Sequence, residues 1–372
     1  MKRVLSFICI CLLLLSAACA RTDPAYREGM AALEQGNYLA AYEKLSVSPS
    51  GEAAEVLEKL VFVPTGAVTQ LNEKTVARQT YAYDKSGNLL EKKQDFAETT
   101  LTTAYSYNEK NQLVTIREEV AVDMTFTTTY VYDEAGNCTE KKIDRDGDIT
   151  TFRYAYDAEN RCTSVEQIDA DGSTFLTVCR YDDKGNLAFE RMDYADGSWN
   201  ERHFTYDANG NPTLETGSDF TGSSYTYTYT YNEDGLLTGE SHSLGSTTSY
   251  TYDEAGRLTS SSLSDGSTET YTYDEAGNLL TKCITSASGI EYRTSYTYDE
   301  KGNRLSIEHN TSDEKRTFTY DAYGNKTTEA YTSVTGGKYL WSYTWELHYY
   351  PDGVPEEVET LRLDTVEMQA VM

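Results

Sequence analysis

A tyrosine-centred motif, Y-x-Y-D, recurs along most of the chain at a nearly constant spacing. When the second aromatic residue of each copy is taken as an anchor, eleven anchors follow one another at intervals of 21 to 25 residues. The anchors are Tyr83, Tyr107, Tyr132, Tyr156, Tyr181, Tyr206, Tyr231, Tyr252, Tyr273, Tyr298 and Tyr320. A fixed period over eleven units indicates a repeat architecture, in which each unit packs on its neighbours.

The residues after each anchor predict a tight turn. Every anchor is followed by Asp or Asn, and the third residue beyond that is Gly in nine units and Asn in two, at Asn111 and Asn160. Asp or Asn can bond the turn backbone, and Gly or Asn enters the left-handed region most easily. We therefore expect a hairpin corner with a bulge at each D-x-x-G, in which the carboxylate accepts backbone amides.

A second turn, often Asp-Gly, lies midway between anchors, as at Asp171-Gly172 and Asp196-Gly197. Two turns per unit imply two strands per unit, about 22 in all. The run from Tyr225 to Tyr231 alternates Tyr and Thr, which places the rings on one face and the hydroxyls on the other. The shorter intervals remove two residues from each strand, which keeps every side chain on its face.

Composition agrees with a folded chain that buries tyrosine. Leu, Ile, Val and Phe together make up roughly 18% of the residues, a level that with high net charge usually signals disorder. The 32 tyrosines argue against disorder. We predict a mainly β fold: a long meander of antiparallel strands that forms a twisted, curled open sheet or partial spiral shell, with a small N-terminal helical cap.

The repeat units resemble a known family. The segments YTYDEAGNLL, YAYDKSGNLL, YSYNEKNQLV and FTYDANGNPT look like the YD repeats, also called RHS repeats, of bacterial surface and toxin-encapsulating proteins and of teneurin shells. The resemblance covers about residues 80 to 350, and it implies a strip of β-hairpins that coils into a shell or open spiral, often described as carbohydrate-binding. The toxin shells are longer arrays that end in a D-P-x-G-L core segment. Since this segment is not found here, an open curved sheet is expected.

Residues 1 to 19 are typical of an export signal. Lys2 and Arg3 precede an apolar stretch that is too short to span a membrane. The end of the stretch resembles a bacterial lipoprotein signal, which implies lipidation of Cys19, although Ser16 stands where that family prefers Leu. The alternative is cleavage after Ala20, which would release a secreted protein. Both readings predict export, and lipidation predicts attachment to the membrane of the cell envelope.

The two ends of the mature chain lie outside the repeats. Residues 23 to 60 are predicted to be helical, and the run EGMAALEQGNYLAAYEKL resembles one tetratricopeptide-type helix pair that turns at Gly36-Asn37. One pair cannot bury its own apolar face, so a cap on the repeat domain, residues 61 to 350, is favoured over a peptide-binding unit. Residues 351 to 372 are predicted to form one further strand or a loose tail.

The sequence predicts a protein without an enzymatic site, cofactor or metal. The four histidines, His203, His242, His309 and His348, are scattered, and no metal-binding, nucleophile or phosphate-loop motif is present. The segment IDRDGDI resembles the start of a calcium loop, but Ala155 stands where the loop needs Glu, so a hairpin turn is preferred.

Cys162 and Cys179 raise the question of a disulfide. If the turn between them were a four-residue loop, residues 169 to 172, the two would lie opposite each other within bridging distance. The alternative is a pair of buried free thiols.

The net charge of −28 argues against a nucleic-acid partner. Three functions remain: a surface binding module for glycan or cell-wall polymer, with Trp199, Trp341 and Trp345 as candidate stacking residues; a structural scaffold or stalk that contacts envelope proteins; or an accessory of a toxin-delivery system. The binding module is the first prediction.

Overall fold

The structure is a computed structural model that describes residues 23–121, 123–312 and 314–367. It contains four helices in these residues, α1 (Pro24–Glu34), α2 (Tyr38–Leu45), α3 (Gly51–Leu57) and α4 (Glu356–Glu367). None of them is long and apolar enough to cross a membrane. The predicted signal and Cys19 lie outside the described residues.

Twenty-four strands fill the chain between α3 and α4. They are β1 (Leu60–Leu71), β2 (Lys74–Tyr83), β3 (Leu89–Phe96), β4 (Thr100–Tyr107), β5 (Leu113–Ala121), β6 (Met124–Tyr132), β7 (Cys138–Arg145), β8 (Asp148–Tyr156), β9 (Cys162–Ile168), β10 (Thr174–Tyr181), β11 (Leu187–Asp193), β12 (Trp199–Tyr206), β13 (Pro212–Asp219), β14 (Ser224–Tyr231), β15 (Leu237–His242), β16 (Thr247–Tyr252), β17 (Leu258–Leu263), β18 (Thr268–Tyr273), β19 (Leu279–Thr285), β20 (Glu291–Tyr298), β21 (Arg304–His309), β22 (Lys315–Tyr320), β23 (Lys326–Thr332) and β24 (Lys338–Tyr349).

The strands form one antiparallel sheet, and its edges are joined. β1 pairs with β2 along residues 66 to 71, and it also pairs with β24. Thr65 and Thr344 share a hydroxyl hydrogen bond of 2.8 Å, and the Tyr350 amide donates to the Lys59 carbonyl at 2.8 Å. The prediction of an open sheet or partial spiral is therefore wrong: the sheet closes into a β-barrel. Closure pairs the two edge strands, whose backbone groups an open sheet would leave unpaired.

The chain divides into two compact units. Among the described residues, the first contains residues 23 to 102, 320 to 328 and 340 to 367, and the second contains those of residues 103 to 319 and 329 to 339. The first unit holds the helices and a buried cluster made of Ala41, Leu45, Ala53, Leu60 and Leu347. The cluster joins α2 and α3 to the first and last strands of the sheet, and the role of the helices as a cap stays a prediction.

The first two helices have polar N-cap residues, and they pack closely against each other at a glycine. Asp23 caps α1 by accepting the Ala25 amide, and Asn37 caps α2 by accepting the Ala40 amide. A β-carbon on Gly29 would lie 2.6 Å from Leu45 Cγ, so glycine is needed where the two helices meet. The likeness of this pair to a tetratricopeptide unit stays a prediction.

Residues Glu356–Glu367 form a helix, where the sequence analysis predicts a strand or a loose tail over residues 351 to 372. Val358 and Leu361 are buried, and their spacing of three residues places them on one face of α4. An alternation in a short apolar run can indicate either a strand or a helix, and packing of this face favours the helix.

The strands between Tyr231 and Tyr273 show how the repeat tolerates shorter units. β15 to β18 have six residues each, whereas β14 has eight. Antiparallel pairing continues through them, with Tyr229 opposite Glu240 and Tyr271 opposite Lys282. Removing two residues per strand preserves the face of each side chain, as the sequence analysis predicts.

Candidate functional site on the tyrosine face

The corners fix the ends of the strands. In the corner at Asp207, the carboxylate Oδ1 accepts the amides of Asn209 and Asn211, while Oδ2 accepts the Asn211 side-chain amide at 3.0 Å. Gly210 has φ +90°, and the register shifts at Tyr206. These contacts lower the pKa of Asp207, chiefly through the Asn211 side chain. The predicted corner chemistry is observed, and its carboxylate is committed to the turn.

The sequence analysis missed the residue four positions after the corner Asp. It is Asn in seven corners and Arg at Arg161 and Arg257, whose Nε atoms each lie 2.7 Å from the corner carboxylate. The recurring Gly-Asn pair was the available signal. The side chain of this residue donates to Oδ2 of the corner Asp. This role is seen only in the three-dimensional structure.

The anchor hydroxyls link successive corners. Tyr206 Oη donates to the Leu187 carbonyl at 2.7 Å, so the residue before one corner bonds the residue after the preceding corner. The same bond spans 18 or 19 residues in most units and 15 in the shortened ones. It is made by Tyr83 to Pro64, Tyr132 to Leu113, Tyr156 to Cys138, Tyr181 to Cys162, Tyr231 to Pro212, Tyr252 to Leu237, Tyr273 to Leu258 and Tyr298 to Leu279. These anchors therefore join units as well as filling space.

The Tyr206→Phe variant tests this ladder. Loss of the hydroxyl leaves the Leu187 carbonyl without that donor, and we expect the free energy of unfolding to fall by about 1 kcal/mol. Urea denaturation measures the change. Tyr194→Phe is the matched control, because the Tyr194 side chain is exposed and its hydroxyl contacts only the side chains of Asn200 and Met192. Equal effects of the two variants would contradict a special role for the anchor.

The rings are less buried than predicted. In β14 the tyrosines are half-buried and three of the four alternating hydroxyl residues are exposed. Tyr225 and Tyr227 meet at a centroid distance of 5.6 Å, and Tyr227 stacks on Tyr229 at 6.3 Å. We call the side of the sheet that carries the anchors the tyrosine face.

Charged side chains share the tyrosine face with the rings. The position nine residues after each anchor, which we call the facing position, lies opposite the residue two before the anchor. Lys141 faces Tyr130, Glu215 faces Phe204 and Lys282 faces Tyr271. Lys141 Nζ lies 5.8 Å from the Tyr130 ring centroid and 5.9 Å from that of Phe152. Such contacts are cation–π interactions.

Glutamates at the facing position bind arginine or tyrosine. Arg202 makes a close ion pair with Glu190 and approaches Glu215 to 3.9 Å. Glu215 also accepts the hydroxyls of Tyr225 at 2.9 Å and Tyr229 at 3.4 Å. Burial, together with Glu215, raises the pKa of each of these tyrosines to about 12.

These raised pKa values predict a stability that depends on alkaline pH. The folded-state value of about 12 for Tyr225 exceeds the ordinary 10.0, so the folded state holds the proton more tightly. This contribution is fully present below about pH 10, and it is lost as the pH rises toward about 12. We expect the urea midpoint to fall over this range, while tyrosinate absorbance measures ionisation. Glu215→Gln should allow earlier ionisation, and an unchanged absorbance curve in this variant would contradict the assignment.

The three predicted stacking tryptophans are divided between the two units. Trp199 belongs to the second unit and is half-buried, with the Arg191 guanidinium 4.5 Å from its ring. Trp341 and Trp345 belong to the first unit. The Trp345 indole donates to the Lys326 carbonyl at 2.7 Å, across 19 residues, and so takes the place of an anchor hydroxyl.

Cys162 and Cys179 are free thiols, so the proposed disulfide is not formed. The register explains the difference. The Asp169 amide donates to the Ser173 carbonyl and Ser164 lies opposite Val178, so the loop has three residues and the register assumed from four is offset by one. Burial raises the pKa of both thiols.

Asp144 takes part in the turn that the sequence analysis preferred over a calcium loop, since its Oδ1 accepts the Gly147 amide at 2.7 Å. Among the described residues, no group of three or more His, Cys, Asp or Glu side chains is arranged to hold a metal ion.

Three stretches of the chain, residues 132–174, 231–268 and 252–291, match the family model described as RHS Repeat. No curated protein matches the chain. Similar solved structures include TcdB2-TccC3-TEV, with 16% identity over 72% of this chain and a TM-score of 0.43, and TcdB2-TccC3, with 18% identity over 70% and a TM-score of 0.44. The chain covers 16% of the length of each. A porin-like protein from Bacteroides vulgatus is 12% identical over 53% of this chain and 95% of its own, with a TM-score of 0.25.

Proposed function

Since this chain is built of RHS repeats, we propose that it is a non-enzymatic scaffold of the cell envelope, exported and held at the membrane by a lipid on Cys19. The observation that carries the proposal is the use of the repeated polar groups. The anchor hydroxyls bond carbonyls of the preceding unit, and the corner carboxylates bond their own turns. Groups used in this way support a rigid surface, and they are not available for acid–base chemistry on a substrate.

Crosslinking in intact cells of the source organism tests the scaffold. With a lysine-reactive crosslinker, we expect adducts between this chain and a small, reproducible set of envelope proteins. A variant with two corners disrupted, Asp182→Ala with Asp207→Ala, should lose these adducts, because both carboxylates hold turns. Absence of protein adducts for the native chain would overturn the proposal.

Membrane attachment is tested separately. In the Cys19→Ala variant we expect the protein to leave the membrane fraction and appear in the soluble exported fraction. Mass spectrometry of the native N-terminus should find a lipidated cysteine. A native protein that begins after Ala20 without lipid would support secretion instead.

Glycan binding is the second candidate, and one observation favours it. The Trp199 ring is half-buried and has Arg191 at 4.5 Å, an arrangement that could stack a sugar and donate to its hydroxyls. Retention on cell-wall sacculi or on a glycan array that disappears in Trp199→Ala would favour this function over the scaffold. A role as an accessory of toxin delivery stays a prediction.

A further inference from the structure

Three successive units carry glutamate at the facing position, Glu190, Glu215 and Glu240, at intervals of 25 residues. Other units carry lysine there, at Lys92, Lys141 and Lys282. In seven of the eleven units the position therefore places a cation or a carboxylate on the tyrosine face; the other four carry Ile116, Val165, Ser261 and Ile307.

Elsewhere on this face, the chain supplies its own cations to the rings. Lys282 Nζ lies 5.7 Å from the Tyr271 centroid and 3.3 Å from Glu269 Oε2. Arg304 lies 5.9 Å from Tyr296 and 5.3 Å from Phe318. Arg202 lies 5.4 Å from Phe204 and pairs with Glu190. A cation next to an aromatic ring is thus a recurring arrangement of this protein, and Lys282 and Arg202 pair with a carboxylate as well.

Glu240 lies next to tyrosine rings, but among the described residues no lysine or arginine is placed beside it as at the positions above. From residue 203 to residue 256 the sequence has no Lys or Arg, while it has eight Asp or Glu. Within the part of the chain that the structure describes, no lysine or arginine forms an ion pair with Glu240. Arg202, which precedes this segment, pairs with Glu190 and Glu215 but not with Glu240, so the negative potential at Glu240 favours an external cation.

The geometry around Glu240 resembles the occupied positions. Glu240 lies opposite Tyr229 in the register, and burial, together with the charge of Glu240, raises the pKa of Tyr250. On the other side of Tyr229, Glu215 accepts the Tyr229 hydroxyl, and Tyr227 stacks on the ring. All five side chains are half-buried, so solvent reaches them. We name Glu215, Tyr227, Tyr229, Glu240 and Tyr250 the ammonium cradle.

We propose that the ammonium cradle binds an alkylammonium ion. Aromatic faces attract weakly hydrated organic cations, and desolvation by neighbouring rings strengthens the attraction. Calcium and magnesium prefer six or more oxygen ligands, whereas the Tyr229 hydroxyl here already donates to Glu215. His242 packs on Tyr227, with ring centroids 4.4 Å apart, and its Nδ1 accepts the Leu244 amide at 3.3 Å. This site is independent of the proposed scaffold function.

Titration with tetramethylammonium, followed by NMR saturation transfer to the native chain, tests the site. We expect weak, saturable binding. Glu240→Lys should abolish it, because the new Nζ would lie over Tyr229 as Lys141 lies over Tyr130. Glu233→Lys, an exposed corner residue of the same unit, makes the same change in charge and should weaken binding by no more than about twofold.

A second pair of variants isolates the ring. Tyr229→Phe keeps the aromatic face and should retain binding, whereas Tyr229→Leu should weaken it by roughly tenfold. Thermal melts and circular dichroism establish that each variant is folded, and Glu240→Gln replaces Glu240→Lys if the lysine variant is not. Equal weakening by Glu240→Lys and Glu233→Lys, equal binding by the two Tyr229 variants, or no saturable binding to the native chain would each overturn the proposal.

Discussion

Replacing Arg316 by leucine is expected to lower the free energy of unfolding by about 3 to 5 kcal/mol. Glu329 occupies a facing position in the second unit, and its side chain is only 1% exposed. Arg316 Nη1 lies 2.9 Å from Glu329 Oε1, and the guanidinium lies 4.9 Å from the Tyr331 ring. The variant leaves the buried Glu329 carboxylate without the Arg316 guanidinium. An unpaired buried charge lowers the free energy of unfolding by more than the loss of the ion-pair attraction alone. Urea denaturation at neutral pH measures the effect.

Two controls separate the buried carboxylate from the loss of an ion pair in general. Arg117→Leu removes a pair with Glu119 whose members are 58% and 37% exposed, and it should cost less than about 1 kcal/mol. The double variant Arg316→Leu with Glu329→Leu removes both charges, and it should recover most of the lost stability. If the double variant were less stable than Arg316→Leu alone, the explanation would be wrong.

Gly87→Ala should cost about 3 kcal/mol, because alanine at this corner meets two separate penalties. Gly87 has φ +85°, in the left-handed region. A β-carbon would also lie 2.5 Å from Cε1 of Tyr350, a residue that is 2% exposed and donates its hydroxyl to the Gly87 carbonyl at 3.0 Å. The corner at Gly87 and the Tyr350 side chain therefore stabilise each other. Thermal melting of the full chain measures the loss of stability.

Gly147→Ala is the matched control for this prediction. Gly147 has φ +96° but no atom within 4 Å of the position of its β-carbon, so only the backbone penalty of about 1 kcal/mol applies. The excess cost of Gly87→Ala measures the packing of Tyr350. Should both variants melt at the same temperature, Tyr350 would not restrict the corner.

The sequence analysis recovered those features that repeat and act over a few residues. Asp207 and Gly210 specify a corner through contacts that span four residues, and alternation from Tyr225 to Tyr231 specifies a strand. It missed the Asn211 side chain as a member of the corner, although Gly-Asn recurs. The disulfide prediction failed because a loop of three residues instead of four shifts the register by one.

The candidate sites required the strand register. The bond from Tyr206 to Leu187 and the pairing of Glu240 with Tyr229 involve residues whose proximity follows only when each strand is paired. Glutamate at three facing positions was visible in the sequence as a spacing of 25 residues, but the spacing alone does not say which ring each carboxylate meets. The tryptophans had been chosen for their type alone, and Trp345 proved to be an anchor substitute.

Chain order and residue type alone determined where this protein turns and which residues alternate, because those preferences arise from steric limits and hydrogen bonds between near neighbours. Only the tertiary structure decided that β1 pairs with β24 and that residues 356 to 367 form a helix. Backbone hydrogen bonds between two distant edge strands use groups that every residue has, so they leave no pattern in the sequence. The buried side of α4, with Val358 and Leu361, likewise gains its stability from the surface it covers.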